Sequence, residues 1–109
     1  MRSKAKKIID NTWVEGFYVE SSRQAFIHDD GGNIWRVAPE SRCRDTGLRS
    51  AQGKPIWEND RVFFEGYVGT VRFGLYNDKH YGYFIFWEND YMLRKDIWYW
   101  SKKAVFGVD

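Results

Sequence analysis

The sequence predicts an all-β fold, a small barrel or roll with additional N-terminal strands, on three observations. Short alternating or apolar runs are separated by glycine-bearing turns roughly every 8–12 residues, the rhythm of small barrels. Six Trp, seven Tyr and eight Phe make aromatics 19% of the chain, far more than a disordered segment carries. Apolar residues at helical spacing are almost absent. At 109 residues the chain suffices for one small domain and is short for two independent cores. No composition shift marks a linker. Two Pro and ten Gly exclude collagen-like or low-complexity sequence.

In chain order, residues 1–10 read as a basic, solvated N-terminal tail and residues 11–109 as a single β domain. Trp13-Val-Glu-Gly-Phe-Tyr-Val19 alternates, with Trp13, Phe17 and Val19 sharing one face with Glu15. Ala25–His28 and Asn33–Val37 flank Asp29-Asp-Gly-Gly32, a hairpin turn whose glycines accept positive φ. Pro39–Cys43 can hold one helical turn, with proline at its first position. Thr46-Gly-Leu48 leads into the loop Arg49–Lys54, where Gly53 is the expected left-handed residue. Arg61–Glu65 and Gly69–Phe73 read as paired strands. Tyr83–Trp87 is apolar on both faces, as in a strand buried from two sides. Ile97–Trp100 and Ala104–Phe106 close the chain. Trp57-Glu-Asn-Asp60 recurs as Trp87-Glu-Asn-Asp90, but the flanks differ, so the echo is two turns of similar chemistry rather than a duplication.

Charge is unevenly placed. The formal net charge is +2, and Arg2, Lys4, Lys6 and Lys7 all precede the first acid, Asp10, which leaves the rest slightly acidic. A duplex-binding domain presents a concentrated basic face instead. The longest apolar run, Tyr83 to Trp87, is far short of the roughly 18 residues of a membrane span, so no membrane partner is expected. The N-terminus lacks an apolar signal core. One cysteine, Cys43, forms no internal disulfide and supplies no zinc site, which places the protein in a reducing cytoplasm.

Catalytic patterns are missing from the sequence. His28 and His80 belong to no spaced ligand motif, and each reads as a surface or strand histidine. Cys43 lies between Arg42 and Arg44, which favour a thiolate, but no partner histidine is evident, and an idle or buried thiol is the expectation. There is no phosphate loop, nucleophile elbow or dinucleotide fingerprint. The expectation is a non-enzyme with no cofactor and no metal.

Asp45-Thr-Gly-Leu-Arg-Ser-Ala-Gln-Gly-Lys-Pro-Ile-Trp-Glu-Asn-Asp-Arg-Val62 resembles the signature of the YopX family of phage and prophage proteins. That signature runs Tyr-Thr-Gly-Leu, a short Asp/Asn-Gly loop, then Lys-x-Ile-aromatic-Glu-Gly-Asp-Ile-Val. Asn11–Val19 is similar to the family's Gly-x-Trp-Val-x-Gly-Tyr-Tyr-Val opening, Val37-Ala-Pro-Glu40 to its Val-x-Pro-Glu step, and Val105–Val108 to its closing strand. The ordered resemblance covers the chain from residue 11. Asp45 stands where the family often has an aromatic, Asn59 replaces a glycine and Arg61 an aliphatic. The resemblance implies a roll of the Src-homology-3 type and a bacterial host cytoplasm, and it implies no activity.

The motif has an architectural logic. Gly47 is placed where a chain reversal would strain another residue, and Gly53 at the loop's left-handed position. Asp60 can accept backbone N–H bonds and fix the next strand's entry, with Trp57 packed beneath the turn. Gly69 lets its strand bend. Thr46 and Leu48 complete the structural set.

Two functions from different classes remain. The first is a phage- or prophage-encoded accessory module that binds a host or defence-system protein, as an inhibitor or anti-defence factor. Aromatic and Arg residues dominate binding hot spots. Its candidate contacts are Arg42, Arg44, Arg49 and Lys54, four cations against Asp45 alone, together with Tyr76. The alternative is a small barrel that binds single-stranded DNA or RNA with help from the basic tail. Exposed strand edges are compatible with a homodimer.

Overall fold

A computed structural model describes residues 2–89 and 93–107. Asp90 in the second tetrapeptide, Val108 in the expected closing strand and Met1 of the expected tail lie outside the described residues. The fold is all-β and small-barrel-like, as the sequence predicts, with antiparallel pairing throughout the ladders described below. Where one domain is expected, two compact units are found, Met1–Asp45 and Thr46–Asp109. Each has its own buried cluster.

In the first unit, β1 (Arg2–Lys6), β2 (Trp13–Ser21), β3 (Gln24–His28) and β4 (Ile34–Val37) lie in the order β4-β3-β2-β1. The start of β5 (Cys43–Arg49) pairs along the other side of β1, Ser3 opposite Arg44 and Lys4 opposite Cys43. The expected solvated tail is therefore an interior strand. The correction has a simple cause: Ser3 and Ala5 alternate with Arg2, Lys4 and Lys6, and the small residues turn inward to complete burial. Charge density hid a period of two.

In β2 the face that Trp13 and Phe17 share with Glu15 is the outward one. Val14 and Gly16 face the core, whereas Trp13 and Phe17 are exposed. Gly16 explains the choice. A Cβ there would collide with the His28 carbonyl oxygen and meet Ile27 Cγ2 at 2.9 Å, so β3 can approach only over a glycine. The core beneath consists of Ala5, Val14, Ala25, Ile27 and Val37, flanked by Tyr18 and Trp35. The β3–β4 hairpin forms at Asp29–Gly32 as predicted, with Gly32 the glycine at positive φ (84°). Asp29 organises it, accepting bonds from Gly31 N (3.0 Å), Asn33 N (2.8 Å) and Trp35 Nε1 (2.9 Å). Pro39–Ser41 is a single 3-10 turn, shorter than the expected stretch.

In the second unit, β5 neighbours β6 (Pro55–Trp57). A four-stranded sheet orders β10 (Val105–Phe106), β7 (Arg61–Phe64), β8 (Tyr67–Tyr76) and β9 (His80–Trp87) as β10-β7-β8-β9. Its core includes Ile56, Val62, Val71, Ile85, Trp87, Ile97 and Trp100. Ile97–Trp100, expected as a closing strand, is instead a one-turn helix, α1. Ile97 and Trp100 are buried and Trp98 is 63% exposed, which is the i, i+3 spacing of a helix. The indoles of Trp87 and Trp100 both donate to the Arg94 carbonyl at 2.8 Å, which satisfies two buried N–H groups at once. β9 is buried on one face only: Ile85 and Trp87 point inward, while Phe86 is 50% exposed. Among the described residues, no helix is long and apolar enough to cross a membrane.

Candidate functional site

The residues of the signature are structural in their contacts. Thr46 Oγ1 donates to the Ile56 carbonyl (2.7 Å) and accepts from Leu48 N (3.2 Å). Leu48 packs on the second unit's core. Gly47 has the expected positive φ (84°), but the chain continues along β5 instead of reversing. Gly53, at φ 79°, sits in a turn closed by Ser50 N to the Lys54 carbonyl (2.8 Å). Asp60 Oδ2 accepts from Trp57 N (2.9 Å), and Trp57 is buried. Asn59, where the signature has a glycine, is at φ 75°, a conformation that Asn tolerates. Gly69 serves close approach rather than bending: a Cβ would lie 2.8 Å from Ile85 Cγ2 and 2.9 Å from the Phe86 carbonyl oxygen.

The candidate contact residues are divided between the two units. Arg42 is half-buried, its Nε donating to Ser3 Oγ (3.1 Å) and its guanidinium 4.1 Å from the Tyr18 ring centroid. Burial, reinforced by the Tyr18 hydroxyl donating to Glu20, pushes that phenol up to about 12. Arg44 is half-buried beside it in β5 and pairs across from Ser3. Arg49 and Lys54 belong to the second unit and are exposed, Arg49 donating to the Gly53 carbonyl at 3.0 Å. His28 and His80 are exposed strand residues, and Cys43 is buried. Among the described residues, no group of three His, Cys, Asp or Glu is placed to hold a metal ion.

Tyr76 leads to a more coherent surface. The β7–β8 ladder ends at Arg61 opposite Thr70, with Val71 still bonded to Asn59 and Asp60 and Ile85 to Lys95, whereas β8 and β9 stay paired from Gly69–Trp87 out to Tyr76–His80. The outer part of this hairpin is a two-stranded arm. Its turn places Asn77 and Asp78 at positive φ (53° and 63°), residue types suited to that region. On one face, the rung of Gly74 opposite Gly82 leaves room for Tyr76 to lie back and stack on Phe84, with centroids 5.1 Å apart and planes at 21°. On the other face, Phe73 meets Tyr81 (5.2 Å) and Tyr83 (4.8 Å) edge-on. Leu75 is 62% and Tyr81 75% exposed. A 310 Å³ cleft beside the stack is lined by Tyr76, Asn77, Phe84, Phe86 and Lys95, among others.

Sequence reasoning reached Tyr76 and missed Phe73, Leu75 and Tyr81. The available signal was the length of the alternation from Tyr67 to Tyr76, longer than its partner Arg61–Phe64 can cover. Set against family models, curated proteins and solved structures, the chain matches none of them.

Proposed function

We propose that the chain is a non-enzymatic accessory module of the phage or prophage kind, which binds a host or defence-system protein through the β8–β9 arm. The observation that carries this reading is the arm itself. A two-stranded hairpin is marginally stable alone, yet this one spends aromatic residues on both faces beyond the reach of β7. Rigid, amphipathic rings of this kind anchor protein interfaces. The resemblance to the YopX family supplies the phage context.

Affinity purification of the tagged protein from nuclease-treated bacterial lysate tests the reading, with wild type, Leu75→Asp and Tyr81→Ser compared. A stoichiometric protein band that both substitutions remove supports arm-mediated binding. A band that persists in both variants, but is lost on charge reversal at Arg44 and Arg49, moves the contact to the basic segment. No band with wild type overturns the reading.

A further inference from the structure

We infer that the outward face of the first unit's sheet binds single-stranded nucleic acid. This surface belongs to the first unit and the arm to the second. Register sets its composition, because residues opposite one another in antiparallel strands share a face. Lys6 is opposite Trp13, Lys4 opposite Glu15, and Arg2 opposite Phe17, which continues the row to His28 and Ile34. Arg36 occupies the next row, opposite Phe26. Trp13 is 44%, Phe17 59% and Ile34 61% exposed.

Rings and cations are interleaved on this face. The Lys4 and Lys6 ammonium groups lie 4.7 and 5.4 Å from the Trp13 ring centroid. Arg2 reaches Asp30 at 3.1 Å and Glu15 at 3.7 Å. Glu15 and Asp30, both within reach of Arg2, stand against Arg2, Lys4, Lys6 and Arg36, so cations outnumber these two carboxylates and the face favours an anion. Trp13 and Phe17 are four residues apart on one strand, about 13 Å at the rise of a β-strand. Rings at fixed spacing beside a row of lysines match a ligand that repeats a flat base and a phosphate. A duplex hides its base faces, so the ligand is a single strand. An acidic protein would use the charges but has no need of two exposed rings in line.

The experiment is fluorescence anisotropy with labelled oligo(dT) and oligo(U), titrated at low and moderate salt. Polyglutamate and duplex DNA serve as competitors. The expected result is binding that each of Trp13→Ala and Phe17→Ala weakens about fivefold or more. Lys6→Gln lowers the log–log salt slope by about 0.7. Both rings are exposed, so truncation leaves no core cavity; circular dichroism checks the fold, and Trp13→Phe should restore most of the affinity. Failure to bind either oligonucleotide overturns the inference, as does equal affinity in the ring variants. Displacement by polyglutamate as efficient as by unlabelled oligo(dT) overturns it in favour of an acidic protein.

Discussion

At the scale of single residues, two side-chain positions control local geometry by different physics. Asp29 acts through charge. The Trp35 indole, and then the Asn33 and Gly31 backbone amides, hold its carboxyl below the ordinary value of 3.8. A carboxylate depressed on folding stabilises above its unfolded pKa, and that contribution is lost as pH falls through the lower folded value. The β3–β4 hairpin should thus be insensitive to pH above about 4 and loosen below it. Following the Trp35 indole N–H by NMR through an acid titration checks this, and Asp29→Asn should flatten the response. Asp10, depressed chiefly by the Thr12 hydroxyl, leaves an acid dependence of its own in that variant. Gly69 acts through space. Gly69→Ala drives a methyl against Ile85, Trp87 and the Phe86 backbone, and should cost about 1–3 kcal/mol in urea unfolding. A neutral result would show that β9 can shift away.

At the scale of elements, β1 gives the sharpest test, because charge and alternation make opposite predictions for it. A solvated tail can be removed without effect, whereas an interior strand cannot. Deleting residues 1–7 should strip Ser3 and Ala5 from the core, unpair the β2 edge and collapse the near-ultraviolet signal of the first unit. Lys4→Gln with Lys6→Gln keeps the strand and removes two charges, so it should change stability by no more than about 0.5 kcal/mol per site. An unchanged melting temperature in the deletion would contradict the role of β1. The same competition of signals explains what was legible in the sequence. Turn chemistry was local, so Asp29–Gly32, Gly53 and the Trp57–Asp60 turn were read directly. Facing was not local. In β2 the alternation separates Trp13 and Phe17 from Val14 and Gly16 without saying which set turns inward, and what decides it is the His28 backbone of a neighbouring strand, which leaves room only for Gly16. In β9 apolar residues on both faces suggested two-sided burial, but only the face of Ile85 and Trp87 meets the core, and Phe86 on the other face stays half exposed although its rung is still covered by β7. Tyr76 alone of the arm was recognised, since an arm is defined by where a partner strand stops.

At the scale of the whole molecule, a chain with material for one core has divided it into two clusters of different make-up. The first relies on small and β-branched residues, with Tyr18 and Trp35 at its margin. The second is built around Trp87 and Trp100, stacked edge-to-face at 5.3 Å, with Ile56, Val62, Val71 and Ile85. Because Ile27 and Ile85 are both fully buried but belong to different clusters, they share no packing neighbours within either one. Ile27→Val and Ile85→Val should each cost about 0.5–1.5 kcal/mol. In the double variant the losses should add to within about 0.5 kcal/mol, as for independent sites. Denaturant unfolding of the four proteins, followed by circular dichroism and by tryptophan fluorescence, measures this. Fluorescence weights the second cluster through Trp87 and Trp100, so Ile85→Val should shift that probe at least as much as Ile27→Val does. A coupling energy above about 1 kcal/mol would mean that the two clusters respond as one packed network. The small, marginal core of each unit would then be stabilised cooperatively rather than separately.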